Sequence, residues 1–307
     1  MTQIERAFVS IREGQVHLRR SVGPDPGDAP PLWMIHASPA SSISLVGLMQ
    51  ELGRTRRVIA PDTLGNGDSA PAAPAVPDIA YYADSSLRVM DALGIDKVDL
   101  YGSHTGAHIV AEMAIARPDR FRRMIFDGIA MFSPEEKREN LANYEPAIEP
   151  DAFGTQLHWA WHFVRDQGWF FPYFKRDAAH ARGLDMPSIE ALHRTTVEVL
   201  KSVRTYHHAY RASFAHQEPE RLPLIKVPTL IMADDTDPLK PGVAKAAALM
   251  PGALSTIFES RRHGAGATAA KAAQPATKPT ALTASSNPNP RFSPPAIHSA
   301  IDAAPNR

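Results

Sequence analysis

The stretch Val98-Asp99-Leu100-Tyr101-Gly102-Ser103-His104-Thr105-Gly106-Ala107 decides how this chain is read. An apolar run meets a glycine, a polar residue tops the turn, and a second glycine opens a helical pattern. This is the form of a nucleophile elbow, a tight strand-to-helix turn that lifts one side chain above a sheet. In the spacing Gly-x-Nuc-x-Gly the raised residue is number 104, a histidine. Small residues are needed two before and two after it, because strand and helix backbones close on each other there. Gly102 and Gly106 fill those positions. Shifting the frame to Ser103 would put Tyr101 and Thr105 in them, so Ser103 is the weaker candidate.

Working outward, short apolar strands alternate with amphipathic helical patterns on both sides of the elbow. On the N-terminal side, residues 6–21 read as a hairpin around Arg12–Gln15, followed by strands at Leu32–Ile35 and Val58–Ala60. Helical spacing runs through Leu45, Leu48, Met49 and Leu52, and again from Tyr82 to a stop at Gly94. On the C-terminal side a helix leaves the elbow and ends at Arg117-Pro118, and a strand follows at Met124–Asp127. After an interruption come a strand at Val227–Ala233, a helix over 243–250 and a strand at Ser255–Phe258. Such alternation implies right-handed βαβ units and an α/β fold with a mostly parallel sheet flanked by helices.

The interruption, residues 133–220, is helical in pattern and loaded with rings, among them Trp159, Trp161, Phe163, Trp169, Tyr173, Tyr206, Tyr210 and Phe214. It reads as a helical cap over the active edge of the sheet, its rings serving as its own core, as a pocket lining, or both. Residues 1–132 and 221–263 are then the two parts of the core. The last stretch, 264–307, holds 13 alanines and 7 prolines but only four large apolar residues, and reads as a disordered low-complexity tail.

Composition narrows the function. The 33 basic and 33 acidic residues cancel, so no polyanion partner such as nucleic acid is expected. Without cysteine there is neither a disulfide nor thiol chemistry. No apolar signal core or membrane-length run is present, so no membrane partner is expected and a cytoplasmic location is the default. His158 and His162 stand four apart on a helical stretch, but no third ligand accompanies them and no metal or other cofactor is expected. Oligomeric state is not legible.

Taken together, the landmarks resemble the α/β-hydrolase superfamily in its compact, cap-bearing bacterial form. They are His36-Ala37-Ser38-Pro39, the loop Asp62-Thr63-Leu64-Gly65-Asn66-Gly67-Asp68-Ser69, the elbow, Asp237-Pro238 and the late His263, in family order over roughly residues 5–263. The resemblance implies Asp237 as the triad acid and His263 as the base, with Asp127 as a spare acid. It also implies an oxyanion hole from the backbone N–H groups of Ser38 and Thr105. His36 would brace its turn.

This chain departs from the family at the elbow, where serine is usual, at Ala37, where glycine is usual, and after His263, where no closing amphipathic helix is supplied. A histidine at the elbow reads as a nucleophile or base, since imidazole attacks activated carbonyls. The expected activity is cofactor-free hydrolysis of a small, fairly apolar ester, lactone, amide or C–C-bonded ketone. The competing expectations are a silent ligand-binding or interaction protein on the same scaffold, and a lyase- or oxygenase-type member.

Overall fold

The computed structural model describes residues 2–23 and 29–259. Eight strands form one sheet: β1 (Ile4–Ile11), β2 (Gly14–Ser21), β3 (Leu32–Ile35), β4 (Val58–Pro61), β5 (Val98–Ser103), β6 (Phe121–Asp127), β7 (Thr229–Asp234) and β8 (Leu254–Phe258). Their spatial order is β1-β2-β4-β3-β5-β6-β7-β8. The first two strands are antiparallel to each other and β2 is antiparallel to β4; every other neighbouring pair is parallel. The hairpin link is tighter than its sequence suggests. Gly14, at φ 130°, already belongs to β2, leaving Arg12 and Glu13 between the strands.

Parallel strands need crossovers. They are α1 (Val46–Leu52), α2 (Ile79–Ala92), α3 (Thr105–Ala116) and, after the long insertion, α9 (Lys240–Leu249). The central strands are buried on both faces, which explains their continuous apolar runs. On one face Trp33, Ile35, Leu100, Phe126 and Ile231 pack against α2, α3 and α9. On the other, Met34, Ala60, Tyr101 and Met232 lie with Leu48, Met49 and Leu52 of α1.

Between β6 and β7 run α4 (Pro134–Asn143), α5 (Thr155–Trp169), α6 (Ile189–Lys201), α7 (Tyr206–Ala215) and α8 (Glu218–Arg221). Ser133 caps α4 in a reciprocal capping box with Glu136. These helices share a cluster of their own, centred on Tyr144, Phe163, Tyr173, Tyr206, Tyr210 and Phe214. Ring centroids lie 4.8 Å apart for Phe163–Tyr173, 5.1 Å for Tyr144–Tyr173 and 5.2 Å for Tyr144–Phe214. Five of the eight rings named from the sequence are thus core, whereas Phe153, in the same insertion, is 91% exposed.

The insertion touches the loops at the C-terminal ends of the strands. Thr205 Oγ1 donates to the Gly65 carbonyl (2.5 Å), Lys201 pairs with Asp68 (3.1 Å), and Arg182 donates to the Thr236 carbonyl (3.1 Å). Those loops follow β4 and β7. In parallel α/β sheets this is the end where ligands bind. The tail at 264–307 and His263 lie outside the described residues.

Candidate active site

The elbow is built by forced proximity. A Cβ on Gly102 would fall 2.3 Å from the Gly106 carbonyl oxygen, and one on Gly106 would fall 2.3 Å from that of Ile35. Between them His104 adopts φ 50° and ψ −110°, the only positive φ of a non-glycine among the described residues. Such a conformation costs on the order of 1–3 kcal/mol and persists only where its surroundings hold it. Here the His104 N–H donates to the carbonyls of Asp127 (3.1 Å) and Gly128 (3.0 Å), and its own carbonyl accepts from Ala107 (2.9 Å).

The raised imidazole reaches across to the loop after β7. His104 Nε2 lies 2.8 Å from Asp237 Oδ2, and the other carboxylate oxygen accepts the Leu239 N–H at 2.7 Å. Asp237 is 8% exposed in its side chain and His104 25%. With Asp237 as acceptor, Nε2 carries the proton and the lone pair sits on Nδ1. Nδ1 is also the ring nitrogen closer along the side chain to the elbow backbone.

Beneath this pair lies Gly128, at φ 69°. A Cβ there would come within 2.6 Å of His104 Cδ2 and 2.8 Å of Asp237 Oδ2. Gly128 was not singled out in the sequence, although a glycine directly after the strand-ending Asp127 was the available signal.

Asp127 ends β6, in register with Ser103. Its carboxyl accepts the Tyr101 hydroxyl at 2.5 Å. Burial pushes its pKa up to about 7, the Tyr101 bond opposes that rise, and the Asp237 carboxylate adds to it. Tyr101 itself is raised well above the ordinary phenol value, by burial first and then by Asp127. Ser103 is the last residue of β5, ahead of the turn, and its hydroxyl interacts with Tyr101.

Thr105 is the first residue of α3, where N–H groups have no intrahelical acceptor and the helix dipole is positive. The closeness of Gly106 to the Ile35 and His36 carbonyls seats this helix start against the 36–39 turn that carries Ser38. His36 holds that turn. Its Nδ1 donates to the Ala37 carbonyl (2.9 Å) and its Nε2 accepts the Thr63 N–H (2.9 Å), while burial lowers its pKa and keeps it neutral.

The 62–69 loop is fixed by Asp62. Its carboxylate accepts from His17 Nδ1 (2.8 Å), the Ser42 N–H (2.9 Å), the Ser42 hydroxyl (2.5 Å) and the Asp68 N–H (3.1 Å). Burial opposes its ionisation, but these bonds prevail and bring the pKa down to about 2. His158 and His162 are both exposed on α5 and join no three-ligand cluster among the described residues.

Residues 30–157 match the model of the alpha/beta hydrolase fold family. That segment holds the 36–39 turn, the 62–69 loop and the elbow; Asp237 lies beyond it. The 2-hydroxymuconate semialdehyde hydrolase of Pseudomonas sp. (strain CF600) is 37% identical over 129 residues, 40% of this chain and 46% of that protein. The 2-hydroxy-6-oxo-2,4-heptadienoate hydrolase of Pseudomonas putida (strain F1) is 30% identical over 129 residues, 40% of this chain and 47% of that one. The chain thus spans less than half the length of these curated relatives. Among solved structures, the enol-lactonase from Burkholderia xenovorans LB400 superposes with a TM-score of 0.59 at 20% identity, covering 82% of this chain and 91% of that one. A hydrolase from Pseudomonas aeruginosa PA01 gives 0.59 at 18% identity, with 82% and 89% covered. The chain has the α/β-hydrolase fold.

Proposed function

We propose that this protein is a cofactor-independent hydrolase in which His104 and Asp237 act as one unit on an acyl or activated carbonyl substrate. The observation that carries the reading is the 2.8 Å contact between the elbow imidazole and Asp237. Asp237 fixes the tautomer and stabilises positive charge on the ring, the part an acid plays toward a catalytic histidine. Nδ1 of His104 then attacks the carbonyl carbon. The developing oxyanion is met by the N–H groups of Thr105 and Ser38, at a helix start where negative charge is favoured.

Collapse of the tetrahedral adduct breaks the bond to the leaving group, which departs with a proton taken from solvent. It leaves an acyl-imidazolium whose Nε2 proton stays on the Asp237 hydrogen bond, an acyl donor that water hydrolyses readily. His263 is the base proposed to activate that water. The ring-rich insertion is proposed as the cap, and a fairly apolar ester, lactone or C–C-bonded ketone as the substrate, in keeping with the hydrolases and lactonase the chain resembles.

Rapid quenching with an activated ester, followed by peptide mass spectrometry, tests the covalent step. The expected result is one acyl group on His104. Turnover with no adduct at any quench time would instead make His104 a base acting on water.

A further inference from the structure

One turn beyond the elbow, α3 carries His108 and, four residues on, Glu112 on the same face. The link from α7 to α8 brings His216, and the start of α8 brings Glu218, against them. His108 is fully buried, Glu218 is 1% exposed and His216 is 9% exposed. His108 Nδ1 lies 3.0 Å from His216 Nδ1, and Glu218 Oε1 lies 3.5 Å and 4.0 Å from the two nitrogens. None of these groups enters the chemistry proposed for His104.

We propose that His108, His216 and Glu218 form a binding site for a divalent transition-metal ion of the zinc class, stapling the elbow helix to the end of the insertion. Ligand bonds of about 2.0–2.1 Å in a tetrahedron put neighbouring ligand atoms about 3.3 Å apart, and the three separations here bracket that value. Two imidazole nitrogens and one carboxylate oxygen are a donor set that suits zinc or cobalt, with a fourth position for water.

The protons support the same filling. His216 Nε2 faces Glu112 Oε1 at 2.9 Å and so carries its proton there, leaving a lone pair on Nδ1. Three lone-pair atoms then converge with one proton, that of His108, to share. Two of the three ligands have the outer contacts a metal site uses, while His108 Nε2, which would carry that ring's proton, has no hydrogen-bond partner among the described residues. Glu112 orients His216 and is itself gripped by Arg221 at 2.7 and 2.6 Å, while Glu218 Oε2 takes Lys137 at 2.6 Å. The competing filling is a second proton, on Glu218, whose pKa burial raises.

Untagged full-length protein, stripped with chelator, is titrated with Co²⁺ and separately melted with and without Zn²⁺. The expected result is one Co²⁺ per chain with the intense visible bands of a tetrahedral or five-coordinate site, lost in Glu218→Gln and His108→Leu. Saturating zinc is expected to raise Tm by about 5 °C, as follows from tight single-site binding to a chain of this size. Wild-type protein with no such bands and the same Tm in zinc and chelator would overturn the proposal; so would bands that persist in a folded Glu218→Gln variant. If neither ligand variant folds, the wild-type melts decide.

Discussion

At the scale of single residues, the site depends on what stands beside His104 as much as on His104 itself. Gly128 leaves the space that the imidazole and Asp237 need in order to meet. Gly128→Ala would place a methyl group 2.6 Å from the ring and adopt a positive φ that alanine disfavours. The expected outcome is a stability loss of about 1–2 kcal/mol, read from urea unfolding. Turnover should fall far more than that loss explains, because the His104–Asp237 contact is displaced. Asp237→Asn keeps the shape but offers an amide where the ring needs an acceptor, and should lower kcat by on the order of 10²–10⁴-fold with the fold intact.

The elements explain why these residues meet. Elbow, 36–39 turn and 62–69 loop are legible in the sequence because each is written in glycine, proline and short polar residues whose backbone demands are local. The contact between His104 and Asp237 is not local. It spans 133 positions and exists because β5, β6 and β7 are adjacent and parallel. The same limit hid which rings meet in the core of the insertion. Tyr144 gathers five rings around it, but only the fold brings together positions 144, 171, 173, 174, 210 and 214. His108 and His216 stand 108 positions apart and meet only once α3 and the α7–α8 link are packed. Gly106→Ala tests the elbow at this scale. Its Cβ would meet backbone atoms of β3 that cannot step aside, so a loss of about 3 kcal/mol or more, or failure to fold, is expected in denaturant melts.

For the whole molecule, two buried carboxylates shape stability against pH in opposite directions. Asp62 has its folded pKa lowered to about 2. Its contribution is present above its unfolded value of about 4 and is lost as pH falls toward 2. Asp127 has its folded pKa raised to about 7. It favours the folded state fully below about pH 4, and that contribution is lost as pH climbs from 4 to 7. Thermal melts from pH 4 to 8 should therefore show a decline that is weaker in Asp127→Asn, which cannot ionise and keeps an acceptor for Tyr101. An unchanged profile in that variant would place the titrating group elsewhere.

The central claim is that the elbow histidine is the working group of a hydrolase. It is tested most directly by initial rates on a graded series of activated acyl esters with wild type, His104→Ala and His104→Ser, all shown to be folded. Wild type is expected to show saturable turnover that varies with acyl length and disappears in His104→Ala. A silent wild type beside an active His104→Ser variant would contradict it, leaving a competent scaffold whose natural residue 104 serves binding or some other reaction.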